Sequence, residues 1–233
     1  MIKLLAIECA TDACTVALIN NGKISQKSSL EPRSNARVLL PMVDELLTES
    51  SLKLDTLSAL SITIGPGSFT GIRIGIAVAQ GLAYGARLPI LTWNTLEIMA
   101  AAHFLKYQQA EKTIIVALDA RMGEIYWSSF GWDLDRQILI EHEAPKLSGL
   151  ADFELMLRAS WVQDTCIGLG SGFKEIDFLN GKIDKKVLPQ AKTMLELYPG
   201  YKDLRPLLTD VSELRPLYLR NEITWKKRTR IRQ

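Results

Sequence analysis

The spacing of apolar residues changes several times along the 233 positions, and each change marks an element. Lys3–Ile7 is a short apolar run and Cys14–Ile19 a β-rich one. Asn20-Asn21-Gly22 predicts a tight hairpin, since Asn-Gly tolerates positive φ at both central positions, and Ile24–Ser29 predicts a third antiparallel strand. Beyond Pro32 the period becomes helical. Apolar residues at 36, 39, 40, 43, 46 and 47 share one face, with Ser34 placed to cap it. Val38 and Met42 fall outside that stripe, so the apolar surface is wider than one core contact requires; Pro41 forfeits a helical hydrogen bond. Ala59–Ile64 predicts a buried strand, GPGSFTG a loop and GIRIGIAVAQGLAYG a helix. Pro89–Thr92 predicts another strand, and Asn94 with Glu97 caps a helix reaching about Lys106.

The plan then restarts. Thr113–Leu118 is a β-run ending in Asp119, followed by a small turn, a strand over Ile125–Gly131 and another near Ile138–Glu143. Strand, terminal acid, turn and returning strand repeat those around Glu8, about 110 residues earlier. A period that long implies two similar lobes rather than a solenoid. Further on, Thr165–Leu169 reads as strand, and Gly172–Asn180 and Lys192–Tyr198 as helical patches.

Two segments carry more apolar surface than their length explains. Between Gly71 and Gly85 only Arg73 and Gln80 are strongly polar, and a helix apolar on all sides is covered on all sides. Gly71 and Gly75, then Ala77, Gly81 and Gly85, fall at four-residue steps and form flat stripes. Each interior glycine costs up to about 1 kcal/mol against alanine, which close packing must offset. Together with the wide Ser34–Ser50 helix this suggests a subunit interface using Val38, Leu39, Met42, Val43, Leu46, Ile72, Gly75, Ile76, Ala79, Gln80 and Ala83. A two-sided core helix is the other reading.

Composition narrows the class. With 47% hydrophobic and 23% charged residues the chain is an ordinary globular sequence. The uncharged, mostly apolar stretch Ile74–Ala86 spans 13 residues, short of the roughly 20 that cross a bilayer. Glu8 interrupts the N-terminal apolar run before a secretory signal can form. Three cysteines without CxxC spacing argue against a disulfide framework or thiolate zinc, and predict a reduced, cytoplasmic setting. The two histidines, His103 and His142, begin no metal-ligand motif, and no GxSxG elbow is present, so no metal ligand or catalytic residue is assigned. The net charge of +2 hides a basic tail: residues 220–233 carry +5 and the rest −3. Arg220, Lys226, Lys227 and Arg228 can follow a nucleic-acid backbone, or the tail is simply solvated.

The glycine loop joins a strand to a helix, where backbone N–H groups attract anions, so Gly67 and Ser68 are candidate phosphate contacts. It lacks a P-loop's Lys-Ser/Thr. A purely structural reading has its glycines permitting tight turns while Ser68 or Thr70 caps the helix. Glu8 and Asp119, ending equivalent strands, either share a water-bridged Mg²⁺ across the cleft or are turn residues.

ECATDACTVAL, GPGSFTGIRIGIAVAQGLAYG, ALDARMGEIYW and RPLYLRNEITWKK together resemble the bacterial TsaB (formerly YeaZ) family along nearly the whole chain. The resemblance implies a two-lobed α/β fold of the actin/Hsp70/sugar-kinase (ASKHA) type, built from duplicated ribonuclease H-like halves. On that plan residues 1–108 form the N-terminal lobe with the interface helices, 109–219 the C-terminal lobe and 220–233 the basic tail. It further implies an accessory role in forming threonylcarbamoyladenosine on tRNA beside the anticodon. The chain would pair with the catalytic paralogue TsaD through its N-lobe helices, act with the ATPase TsaE, and homodimerise when alone. It would hold no cofactor of its own, with ATP or ADP and Mg²⁺ belonging to the complex. Where many members read DTAT, this chain has Glu8-Cys9-Ala10-Thr11, and Asn35 stands where a histidine is frequent. A longer acid weakens the alternative of a small ATPase or kinase using the interlobe cleft.

Overall fold

A computed structural model describes residues 2–31, 34–108, 112–161, 165–179, 182–197 and 208–220. The first half builds β1 (Leu4–Glu8), β2 (Cys14–Asn20), β3 (Lys23–Ser29), α1 (Asn35–Glu49), β4 (Ala59–Thr63), α2 (Phe69–Ala86), β5 (Ile90–Trp93) and α3 (Thr95–Tyr107). The second builds β6 (Thr113–Arg121), β7 (Glu124–Asp133), β8 (Ile138–Gly149), α4 (Leu150–Ser160), β9 (Cys166–Leu169), β10 (Lys182–Asp184), α5 (Ala191–Leu197) and β11 (Leu208–Thr209). The expected Asn-Gly hairpin forms, with Asn21 and Gly22 both at positive φ. Asn94 caps α3 by accepting the Leu96 N–H at 2.9 Å.

Two sheets repeat one plan. The first runs β11-β5-β4-β1-β2-β3, with β1, β4 and β5 parallel and the β1–β2–β3 meander antiparallel. The second runs β10-β9-β6-β7-β8, again an antiparallel meander beside parallel strands. Leu5, Ile7, Val16 and Leu18 face α1 and α2, while Leu4, Ala6 and Ala17 face α3 and α5. Buried on both sides, α3 turns Ile98 and Ala101 to the first sheet and Met99 and Phe104 to the second. The α4 helix covers the far face of the second sheet through Phe153 and Leu157.

Several expectations are corrected. The buried stripe of α1 is Leu39, Met42, Val43 and Leu46, so Met42 turns inward while Ala36 and Leu40 turn out. Ser34 does not cap that helix; its hydroxyl donates to the Glu31 carbonyl at 2.7 Å. In the expected helical patch Gly172–Asn180 the described residues form only a short 3₁₀ turn, Ser171–Phe173, whereas the patch from Lys192 is part of α5. A Cβ on Gly172 would meet Ala117, so the segment lies too close to β6 for a helix with side chains on that face. The span 109–219 does not stay in the second lobe. Ala191, Met194 and Leu195 of α5 cover the first sheet, and β11 pairs with β5. The apolar face of β1 and β2 requires more cover than the 13-residue α3 supplies.

Candidate functional site

The glycine loop lies against the β1–β2 turn. A Cβ on Gly67 would run into the Ala10 carbonyl and one on Gly71 into the Cys9 carbonyl, so both positions need glycine for a close backbone approach. Ser68 caps α2, its Oγ accepting the Gly71 N–H at 3.2 Å, and its own N–H donates to the Ala10 carbonyl at 2.6 Å. The Ser68 N–H that was expected to face a phosphate is thus engaged by the protein itself. The loop's glycines serve packing.

Glu8 is completely buried. Its Oε1 accepts the Ala10 N–H at 2.6 Å and the Thr63 hydroxyl at 3.4 Å, while Oε2 has no partner among the described residues. Desolvation dominates and pushes its pKa up to about 8, against the weaker pull of the Ala10 hydrogen bond. A mostly neutral carboxyl with no solvent access is a poor magnesium ligand, which removes Glu8 from the expected pair. Asp119 is exposed and pairs with Arg121 at 3.2 Å, while its N–H donates to Ser171 Oγ. The two strand-end acids share a place in the repeat but not an environment.

A cleft of about 900 Å³ opens where β2 and β3 meet α3 and the 184–196 stretch, lined by Thr15, Gln26, His103, Lys106, Asp184 and Lys192 among others. Glu8, Gly67, Ser68 and Asp119 do not line it. His103 is half-buried; desolvation lowers its pKa, and its ring rests 4.6 Å from that of Tyr107. Among the described residues no group of three or more His, Cys, Asp or Glu side chains is placed to hold a metal ion. Nor is any described helix long and apolar enough to cross a membrane.

The two stripes of α2 separate cleanly. Gly71, Ile72, Gly75, Ile76, Ala79 and Ala83 face the protein's own core. A Cβ on Gly75 would sit 3.5 Å from both Cys9 and Ile62. Most of the expected interface set, including Leu39, Met42, Val43 and Leu46 of α1, is therefore already covered within one chain. Half-buried Gln80 donates from Nε2 to the Val211 and Leu214 carbonyls, both at 3.3 Å, and so holds the later chain segment. Val38 alone of the α1 set keeps partial exposure. The other stripe, Ala77, Gly81 and Gly85, faces outward, with open space beside both glycines. Leu40 of α1 and Tyr84 of α2 are exposed at 50% and 80%. The sequence carried this stripe in its four-residue steps, but not which stripe faced out.

Residues 208–220 form a strap. It leaves β11, passes Gln80, and donates the Leu217 N–H to the Ile64 carbonyl at 2.8 Å. Arg220 then reaches the second lobe, donating to the Ala120 carbonyl at 3.0 Å and pairing with Glu124. Expected as a tRNA contact, Arg220 is engaged as a clasp between lobes. Lys226, Lys227 and Arg228 lie outside the described residues.

Two sheets, each a meander continued by parallel strands and sharing the central α3, define a two-lobed α/β protein that uses one plan twice. Residues 24–144 match the family model described as TsaD, tRNA N6-adenosine threonylcarbamoyltransferase. The tRNA threonylcarbamoyladenosine biosynthesis protein TsaB of Escherichia coli K12 is 37% identical, with 97% of each chain covered. Its Haemophilus influenzae counterpart is 36% identical, with 96% of each covered. A Pseudomonas aeruginosa crystal structure, described as an uncharacterized protein similar to peptidase YeaZ, superposes with a TM-score of 0.83 at 31% identity, covering 94% of this chain and all of that one. The chain belongs to the TsaB family.

Proposed function

We propose that this chain is a non-catalytic, cytoplasmic partner of a TsaD-type transferase in forming threonylcarbamoyladenosine on tRNA. The observation that carries the reading is the outward stripe Ala77–Gly81–Gly85 of α2, on a helix that also exposes Tyr84, while α1 exposes Leu40. Small residues at four-residue steps let a second helix approach backbone to backbone, and the exposed large side chains supply apolar area. The match to the transferase family model indicates that the partner is a related chain, and a surface suited to a relative also suits a second copy. Isolated, the chain pairs with itself; with the transferase present it exchanges that contact, the ATPase TsaE joining the pair. Chemistry stays on the transferase, where ATP and Mg²⁺ enter, consistent with a Glu8 that is buried and mostly neutral.

The test is co-expression with the transferase paralogue. The wild-type chain is expected to co-purify and to support threonylcarbamoyladenosine formation, and the isolated chain to show no heat with Mg-ATP by calorimetry. Failure to co-purify, or modification at full rate without this chain, overturns the reading.

A further inference from the structure

The first turn of α2 carries a surface unlike the neutral stripe beyond it. Phe69 and Tyr218 of the strap are exposed at 50% and 45%, and their rings stack with centroids 5.9 Å apart and planes inclined by 29°. One turn along the helix, Arg73 lays its guanidinium 3.6 Å from the Phe69 centroid and donates its Nε–H to the Tyr218 hydroxyl at 2.7 Å. The guanidinium is thereby held in place, and among the described residues it has no carboxylate partner and its Nη groups no hydrogen-bond partner. Two positions beyond Tyr218 the strap ends at the Arg220 clasp. The sequence that follows, 221–233, carries five cations against one acid, together with Trp225.

We propose that Phe69, Arg73 and Tyr218 form a stacking platform for an unpaired base of an RNA loop, with the Arg73 Nη groups reaching its adjoining phosphate. Aromatic faces and guanidinium planes accept any base, and unpaired loop nucleotides are what RNA-binding proteins splay onto them. An arginine held flat presents two parallel N–H groups to a phosphate, which a lysine cannot do. Charge agrees: the platform is cationic and its chain continues into a cationic stretch, complementary to a polyanion and unlike the uncharged Ala77–Gly85 stripe. The choice of tRNA as that RNA rests on the function proposed above; the stacking chemistry does not.

The experiment is a fluorescence-anisotropy titration of the full chain with a labelled, unmodified tRNA transcript at several salt concentrations. The Phe69→Ala/Tyr218→Ala double variant is expected to bind about tenfold more weakly or worse, having lost the stacking faces and both groups that hold Arg73. Arg73→Ala is expected to weaken binding and flatten the log–log slope by about 0.7 for one lost single-strand phosphate contact. Tyr218→Phe keeps the ring and retains most of the affinity. Absence of tRNA binding by the wild type overturns the proposal, as does wild-type affinity in a double variant of unchanged melting temperature. So does a double variant that keeps its RNA and instead loses the transferase paralogue, since the platform is then a protein contact. No transferase is present in the titration, so it can succeed or fail independently of the pairing test.

Discussion

Glu8 shows how far burial can move one side chain. Its folded pKa of about 8 lies above the unfolded value of 4.5, so between those limits the folded state holds the extra proton. The stability this group contributes is fully present below about pH 4.5 and is lost as pH rises through about 8. At neutral pH the loss is on the order of 3 kcal/mol, at about 1.4 kcal/mol per unit. Glu8→Gln keeps the shape without the ionisable proton, so urea unfolding at pH 5 and pH 8 is expected to show the wild type losing stability that the variant keeps. Equal pH dependence in both proteins contradicts this account. Sequence showed an acid at a strand end but not its burial, because Thr63, which donates to it, lies 55 positions away. Gly67 and Gly71 were likewise legible only as glycines that permit tight turns, not as places of close backbone approach. What approaches them, the Cys9–Ala10 backbone, was set by the parallel pairing of β1 with β4.

At the scale of elements, α2 is two surfaces on one rod. Gly75→Leu would press on Cys9 and Ile62 within the same chain, and overpacking of this kind costs about 1–3 kcal/mol. Gly81→Leu meets nothing in the isolated chain. A lowered melting temperature is therefore expected for Gly75→Leu, while Gly81→Leu should melt like the wild type yet sediment as a monomer and fail to capture the transferase. Loss of pairing by Gly75→Leu alone would reverse the assignment of the two faces. The meanders, α2, α3 and the repeat were legible because their apolar periods are long and their turns chemically marked. In β8 no residue is fully buried, so its full extent to Gly149 left no alternating apolar signal. Pairing of β11 depends on β5, far away in sequence, which no local pattern records, and the three-residue β10 is too short to show a period. The composition of α1 announced its apolar width, yet Leu40 and Met42 exchanged roles because the helix is rotated to seat Met42 beneath the sheet.

At the scale of the molecule, the strap joins what the repeat divides. Arg220 ties the chain that follows β11 to the β6–β7 turn through the Ala120 carbonyl and Glu124. A half-exposed ion pair contributes about 0–1 kcal/mol, so the clasp orients the lobes more than it stabilises them. Arg220→Ala is accordingly expected to change melting little while amide exchange in the turn at 121–124 rises several-fold; unchanged exchange would mean that the lobes keep their arrangement by packing alone. The 109–219 lobe expected from the repeat misses this crossing, because duplication describes where strands begin and not where the last segments come to rest.

That return has a consequence for biosynthesis. During translation β1 and β2 emerge early, but the inner side of their sheet is covered only in part, by α3, until α5 leaves the ribosome well over a hundred residues later. The nascent chain must meanwhile shield Leu4, Ala6 and Ala17 from other polypeptides, and fragments ending before residue 191 should accumulate in inclusion bodies or on chaperones.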